Sequence, residues 1–181
     1  LRFRILFEAG IPRDASVLDA GCGTGDFLAY LRERGFEGRY VGIDLTPAMI
    51  EAASKRFPGE RFAVASIGDA AGLSREAFAS DFVVSSGVFY YRQADPERFL
   101  HESLERLFPL ARRCLAFNSL STWADRPAEA GEFRADPLRT LSFCRRLSPR
   151  LTLRHDYHPG DFTVYVRRPA ASVDGTPDAG E

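Results

Sequence analysis

The residues whose spacing carries the most chemistry lie in the stretch "SVLDAGCGTGDFLAYL", residues 16–31. An apolar run ends in Asp19, and glycine follows at Gly21, Gly23 and Gly25 before helix-forming residues take over. Glycine reaches positive φ and carries no Cβ, so a strand turning through three of them sets bare backbone against a ligand at the carboxyl edge of a sheet. Some 20 residues on, Asp44 ends the next apolar run, where a carboxylate can take both hydroxyls of a ribose. Strand, glycine turn, helix, strand and acid in that order point to a ligand containing a nucleoside. Helix-on-strand packing alone would explain the glycines but would leave Asp44 a coincidence.

The same residues discriminate between nucleosides. A dinucleotide fingerprint has a third glycine three positions after the second, where the helix amino end holds pyrophosphate. Here that position is Asp26, and a carboxylate is a poor neighbour for two phosphates. Acids on both sides of the turn, Asp19 and Asp26, suit a ligand bearing an ammonium or sulfonium cation. The turn therefore fits S-adenosylmethionine better than a nicotinamide dinucleotide. A nicotinamide-dependent oxidoreductase also lacks support elsewhere: the sole lysine, Lys55, lies on the helix after the second strand, and no Tyr-xxx-Lys pair exists.

The elements that must position these residues alternate strand with helix, which predicts an α/β layered sheet. Residues 1–10 read as a short helix ended by Gly10, 16–20 as a buried strand, and 24–34 as a helix stopped at Gly35. Residues 39–44 form a second strand, and Thr46 with Pro47 opens a helix to about Phe57. Strands follow at 61–66 ("RFAVAS") and 81–89 ("DFVVSSGVF"), then a helix from Asp95-Pro96 to about Pro109 and a strand at 114–120. Residues 123–135 read as a polar loop, and Pro137 starts a helix to about Leu147. "RLTLRHDY" and "DFTVYVRR" form an antiparallel hairpin through His158-Pro159-Gly160. One domain spans residues 1–168, and 169–181 is a disordered tail, small and polar in composition.

Composition narrows the setting. The 181 residues have a formal net charge of −1, so neither nucleic acid nor an anionic membrane is an expected partner. The cations are nearly all arginine and dispersed along the chain, which reads as a compositional bias rather than a recognition surface. Three cysteines (Cys22, Cys114, Cys144) without CxxC spacing argue for a reducing, cytoplasmic setting and against a disulfide framework or structural zinc. No apolar run approaches the ~20 residues of a spanning helix, and no signal peptide is visible. Nothing in the chain sets its oligomeric state.

With these motifs in place, the chain resembles the class I S-adenosylmethionine-dependent methyltransferases. The likeness rests on "VLDAGCGTG", "YVGIDLTPAMIEAA", "SDFVVSSGVF" and the terminal hairpin, over residues 12–168. It implies a Rossmann-like, doubly wound seven-stranded sheet in the order 3-2-1-4-5-7-6, mostly parallel with an antiparallel seventh strand. It also implies roles. Gly21, Cys22, Gly23 and Gly25 would line the methionine part of the cofactor, and Asp19 would orient its amino end. Asp44 would bind the ribose, Leu45 and Met49 would lie near the adenine, and Ser86 and Gly87 near the sulfonium methyl. Met49 as a core residue on its helix is an equal reading. Related enzymes read the adenine amino group with an acid after strand three; here Ser66 and Ile67 occupy that place, with Asp69 three residues further. Backbone groups at Ser66 and Ile67 are the favoured reading, a loop that brings Asp69 in the other.

Methyl transfer is an in-line displacement at an activated carbon, so alignment does much of the work and a base is needed only if the acceptor must lose a proton. Tyr90 and Tyr91 could set an aromatic face against a cation. Asn118 at the exit of strand five could orient a substrate, and His155 could act as a base; packing or surface roles compete for each. His101 and His158 read as solvated, and Cys22 as a small apolar packing residue rather than a nucleophile. No clustered Cys/His spacing suggests metal, and no GxSxG or P-loop occurs. Nucleobase amino-methylases carry Asn/Asp-Pro-Pro-Tyr/Phe after strand four, where this chain has "SSGVFYY". A small-molecule oxygen or nitrogen acceptor is the expectation, with a non-catalytic cofactor-binding protein as the alternative. Trp123 and Phe133 could wall the acceptor site. The chain begins at Leu1, not methionine, leaving room for an N-terminal cap upstream.

Overall fold

The computed structural model describes residues 1–68, 74–91 and 93–169. Seven strands form one sheet: β1 (Val17–Ala20), β2 (Tyr40–Asp44), β3 (Arg61–Val64), β4 (Ser80–Ser85), β5 (Ala111–Leu120), β6 (Arg150–Arg154) and β7 (Asp161–Arg167). Among the described residues six α-helices accompany them: α1 (Arg2–Phe7), α2 (Asp26–Arg32), α3 (Pro47–Arg56), α4 (Arg75–Phe78), α5 (Pro96–Leu107) and α6 (Pro137–Leu147). The order is β3-β2-β1-β4-β5-β7-β6, as the resemblance implies, with β7 antiparallel between β5 and β6.

Alternating side chains divide the core between the two faces of the sheet. Leu18, Val41, Val83, Leu115 and Phe117 pack towards Leu100 and Leu104 of α5 and Phe143 of α6. Val17, Tyr40, Phe82, Cys114 and Tyr165 pack towards Ile5 and Leu6 of α1 and Phe27, Leu28 and Leu31 of α2. Each such fully buried side chain contributes about 1.5–3 kcal/mol, so the period-two pattern fixes which face every strand residue takes. The sheet turns one way from β1 to β2 and β3, and the other way from β1 to β4 and β5. Between the carboxyl ends of β1 and β4 the connections diverge and leave a crevice, the usual ligand site of such sheets.

Local chemistry sets several boundaries. Asp95 accepts from the Arg98 N–H ahead of α5, and Asp136 accepts from the Leu138 and Arg139 N–H groups ahead of α6, each followed by proline at the first helical position. Thr46 makes no such side-chain bond at α3; its own N–H donates to Asp44 Oδ1 instead, at 2.8 Å. The strand expected over 81–89 ends at Ser85, because Gly87 takes φ +78° and the chain enters a 3-10 turn at Val88–Tyr90. Helix α2 starts at Asp26 rather than Thr24, with Gly25 left-handed before it. β5 begins three residues earlier than expected, and His155 to Tyr157 lie beyond the end of β6. The short helix α4, capped by Ser74 Oγ on the Ala77 N–H, has no counterpart in the sequence reading. The tail beyond residue 169 lies outside the described residues.

Candidate functional site

At the β1/β4 crevice lies a cavity of about 580 Å³, bordered by Gly21, Cys22 and Gly23, by Ser86 and Gly87, and by Arg2, Phe3 and Asp161. The glycine turn is built by necessity. A Cβ on Gly21, at φ +84°, would lie 2.1 Å from Val88 Cγ2, so a side chain there would force apart the exits of β1 and β4. Gly23, at φ +53°, is different: its missing Cβ would meet nothing within 4 Å, and the backbone on that side is open to a ligand. The Gly23 N–H donates to Asp44 Oδ2 at 3.0 Å. Asp44 is thus held by two N–H groups, one from the turn and one from Thr46, at the end of β2. Each of its oxygens keeps a further lone pair.

Asp19 is almost fully buried at 1% exposure. Its Oδ2 accepts from the Tyr40 hydroxyl at 2.5 Å, while Oδ1 is buried with no partner. Burial pushes this carboxyl up to about 7, against the Tyr40 bond and helped by the nearby charge of Asp44. An unsatisfied buried acceptor of this kind costs free energy until a donor reaches it, and a cation on the cavity side of Asp19 would be such a donor. Cys22 sits 6% exposed, and a Cβ on Gly42 would meet its Sγ at 2.8 Å. Burial first, then the charges of Asp19 and Asp44, hold its thiol far above the ordinary range; Cys22 packs and does not attack.

The other wall is a polar network. Asn118, fully buried, accepts the Gly87 N–H at 3.0 Å and donates to Ser86 Oγ at 3.3 Å. The Tyr90 hydroxyl reaches Asn118 Oδ1 at 3.1 Å and Asp161 Oδ2 at 3.0 Å, its single proton serving one or the other. Asp161 also accepts from Arg2 Nε at 2.6 Å and from the Tyr157 hydroxyl at 2.8 Å. These bonds revise three expectations. Asn118 fixes the turn after β4 and does not line the cavity. The face of Tyr90 is covered by the Arg2 guanidinium, 4.4 Å from the ring centroid, rather than open to a sulfonium. Burial raises the Tyr90 phenol, so it stays protonated. Tyr91 is 73% exposed and takes no part. An Asn118→Ala variant leaves the Gly87 N–H without its acceptor and Ser86 Oγ without its donor, while the Tyr90 hydroxyl keeps Asp161. It is expected to lose about 2–4 kcal/mol of stability in urea unfolding, more than a surface substitution would.

His155 lies elsewhere. Its Nε2 is 2.8 Å from Ser121 Oγ, and its ring packs 5.0 Å from Trp123 and parallel to Phe162 at 6.3 Å. This is a hairpin contact, and Trp123 belongs to it rather than to the cavity. Phe133 borders a separate cavity of about 300 Å³ with Arg134 and Arg139. The histidine at the cavity is His158, whose Nδ1 accepts the Gly160 N–H. His101 stacks on Phe143 at 3.8 Å instead of standing free in solvent, and burial lowers its basicity.

The adenine side is an open shelf beyond Asp44. Leu45 is 70% and Met49 42% exposed, so Met49 is not a core residue. Ser66 Oγ accepts the Gly68 N–H, which occupies the side chain within its own loop, and Ile67 is buried. Asp69 lies outside the described residues. Among the described residues, no group of three or more His, Cys, Asp or Glu is placed to hold a metal, and no helix is long and apolar enough to cross a membrane. Arg2 and Phe3 were not singled out from sequence. Arg2 and Asp161 are 159 positions apart, and no local spacing links them.

Comparison with known proteins bears on the fold and the family. A family model described as a methyltransferase domain matches residues 17–109. Rv1506c of Mycobacterium tuberculosis, a protein named as a methyltransferase, is 39% identical over 159 residues, covering 84% of this chain and 93% of that protein. Magnesium-protoporphyrin O-methyltransferase of Rhodobacter capsulatus is 38% identical over 105 residues; that match covers 55% of this chain and 45% of the relative. The crystal structure of a TehB-like SAM-dependent methyltransferase from Corynebacterium glutamicum shares the fold. Its TM-score is 0.64 at 22% identity, over 92% of this chain and 87% of that one.

Proposed function

Starting from the methyltransferase domain family, to which this chain belongs as an S-adenosylmethionine-dependent methyltransferase, we propose that it methylates an oxygen or nitrogen atom of a small-molecule acceptor. The observation that carries this reading is the unpartnered, buried Asp19 Oδ1 beside a backbone turn that Asp44 braces from the other side. The cofactor supplies a methyl carbon made electrophilic by a positive sulfur.

In this reading Asp19 takes the cofactor's ammonium, and the bare backbone of Gly21, Cys22 and Gly23 lies along its methionine part, with Gly25 setting the entry to α2. Asp44 takes the ribose hydroxyls. Leu45 and Met49 flank the adenine, and the backbone of Ser66 and Ile67 reads its edge. Ser86 and Gly87, fixed by Asn118, border the space where the methyl and the acceptor meet. Arg2 and Asp161 close that space from the side of α1 and β7 and offer a guanidinium and a carboxylate to orient a polar acceptor. Holding acceptor and methyl in line is worth up to about 7–11 kcal/mol in favourable systems. The buried polar wall therefore serves positioning, and neither Tyr90 nor His155 acts as a base. The relative named as an O-methyltransferase supports an oxygen acceptor. Three buried, unpaired cysteines suit a cytoplasmic setting.

The test is a metabolite pool incubated with methyl-labelled S-adenosylmethionine and the purified protein, read by mass spectrometry. A labelled small molecule is expected, formed faster than with an Asp19→Ala control. Label found only in protein or RNA would overturn the choice of acceptor.

A further inference from the structure

A second concave site lies at the opposite, amino edge of the sheet, away from the methyl-transfer cavity. Arg112 and Arg113 at the start of β5, Arg150 at the start of β6, and Arg167 and Arg168 at the end of antiparallel β7 all border one cavity of about 510 Å³. Read along the chain, these arginines are scattered; the antiparallel insertion of β7 brings them to one edge. Among the described residues none of the five has a carboxylate within ion-pair distance, although thirteen other cationic side chains do. The one acid on the rim, Glu8, is engaged by Arg4 and Arg154. Asp81 stands near Arg112 and Arg113 but is committed to the Ser16 N–H and hydroxyl.

The cluster is held in place. Arg168 donates to the Ala111 and Phe108 carbonyls at 2.8 and 3.0 Å, Arg167 to Ala9 O at 2.9 Å, and Arg150 to Arg168 O at 3.2 Å. Arg113 lies over the Phe82 ring at 5.1 Å. The Arg112 and Arg113 guanidiniums donate to no described residue, and both residues border the cavity. Burial, and then the like charge of Arg75 outside the cavity, push the Arg168 guanidinium below its ordinary range.

We propose that this cavity binds an oligophosphate, a compact ligand carrying two or more linked phosphates. Guanidinium forks match phosphate oxygens bidentately and keep their charge at any physiological pH. The volume is that of a small-ligand pocket, and the cations converge on one hollow rather than run along a face as a nucleic-acid track would require. The segment 1–10, built around α1, joins the two sites: Glu8, Ala9 and Gly10 after the helix border this cavity, while Leu1, Arg2 and Phe3 at its start border the methyl-transfer cavity.

The test is calorimetric titration of the full chain with inorganic tripolyphosphate at about 0.15 M salt, with a nucleoside triphosphate and a 20-nucleotide single-stranded RNA in parallel. Saturable one-to-one binding of tripolyphosphate is expected. It should weaken at least about tenfold in Arg112→Glu and in Arg113→Gln, each having lost a charge-assisted bond, while S-adenosylmethionine affinity is unchanged. Tighter binding of the nucleoside triphosphate would add a base contact to the same site. Absence of saturable tripolyphosphate binding, equal affinity in both variants, or binding of the RNA alone would overturn the proposal. If Arg112→Glu loses its fold, seen as lost S-adenosylmethionine binding, the exposed Arg150→Gln reads the same interaction.

Discussion

An Asp44→Ala variant is expected to bind S-adenosylmethionine at least about a hundredfold more weakly than the parent. A carboxylate that accepts from two ribose hydroxyls makes two charge-assisted bonds, each worth about 1.5–3 kcal/mol, and every 1.4 kcal/mol is tenfold in affinity. The alanine also releases the Gly23 and Thr46 N–H groups that Asp44 now holds at 3.0 and 2.8 Å. The glycine turn then loses its brace as well as its ribose anchor. Because Asp44 is only half-buried, water can satisfy those N–H groups, and the stability loss should stay near 1 kcal/mol. Asp44→Asn separates the contributions: it keeps one acceptor oxygen and the shape of the side chain, and should cost about tenfold. Calorimetric titration of both variants checks this. Unchanged affinity in Asp44→Ala would remove the ribose from Asp44 and with it the assignment of the cofactor's orientation.

That assignment was legible from sequence because its parts are local. Asp19, the three glycines and Asp44 lie within one strand–turn–helix–strand unit, where burial pattern and turn chemistry decide the geometry. The strand order followed from the family likeness alone. The acceptor wall was not legible in this way. Asn118 stands at the end of a strand, as a substrate-facing residue would, yet it is spent on Ser86, Gly87 and Tyr90 of the turn after β4. Tyr90 is covered by Arg2, and Asp161 gathers donors from α1, the 3-10 turn and the β6–β7 connection. Apart from Tyr157 with Asp161, these contacts join positions 28 to 159 apart and leave no periodicity. His155 misled for a similar reason: a titratable ring near a strand end has the right chemistry, and only packing against Trp123 and Phe162 shows that it is spoken for. The arginine cavity has the same origin, since five cations read as scattered until β7 runs antiparallel.

Asp19 carries the sharpest pH dependence. With its carboxyl pushed up to about 7, chiefly by burial, the folded chain keeps a proton between about pH 4 and 7 that the unfolded chain has already released. Stability therefore falls as pH rises through that window, by something on the order of 4 kcal/mol in all from a shift of about three pH units. An Asp19→Asn variant has no charge to bury, and Tyr40 can donate to its amide oxygen. It should lack this slope and, at pH 8, be more stable than the parent in chemical unfolding. Cofactor binding responds in the opposite sense. A carboxylate that receives an ammonium must be ionised, so binding by the parent releases a proton below about pH 7. Its affinity should rise towards tenfold per pH unit from pH 5 to 7 and level off above. In Asp19→Asn the affinity is weak at every pH and flat. Titrations in two buffers of different ionisation enthalpy measure the proton directly. A parent that binds S-adenosylmethionine at pH 6 without proton release, or an Asp19→Asn variant that keeps full affinity, would mean that the buried oxygen facing the cavity does not receive the cofactor's cation. A variant that gains stability while losing affinity would show the reverse: the fold tolerates a buried, unpartnered carboxylate because the ligand completes it.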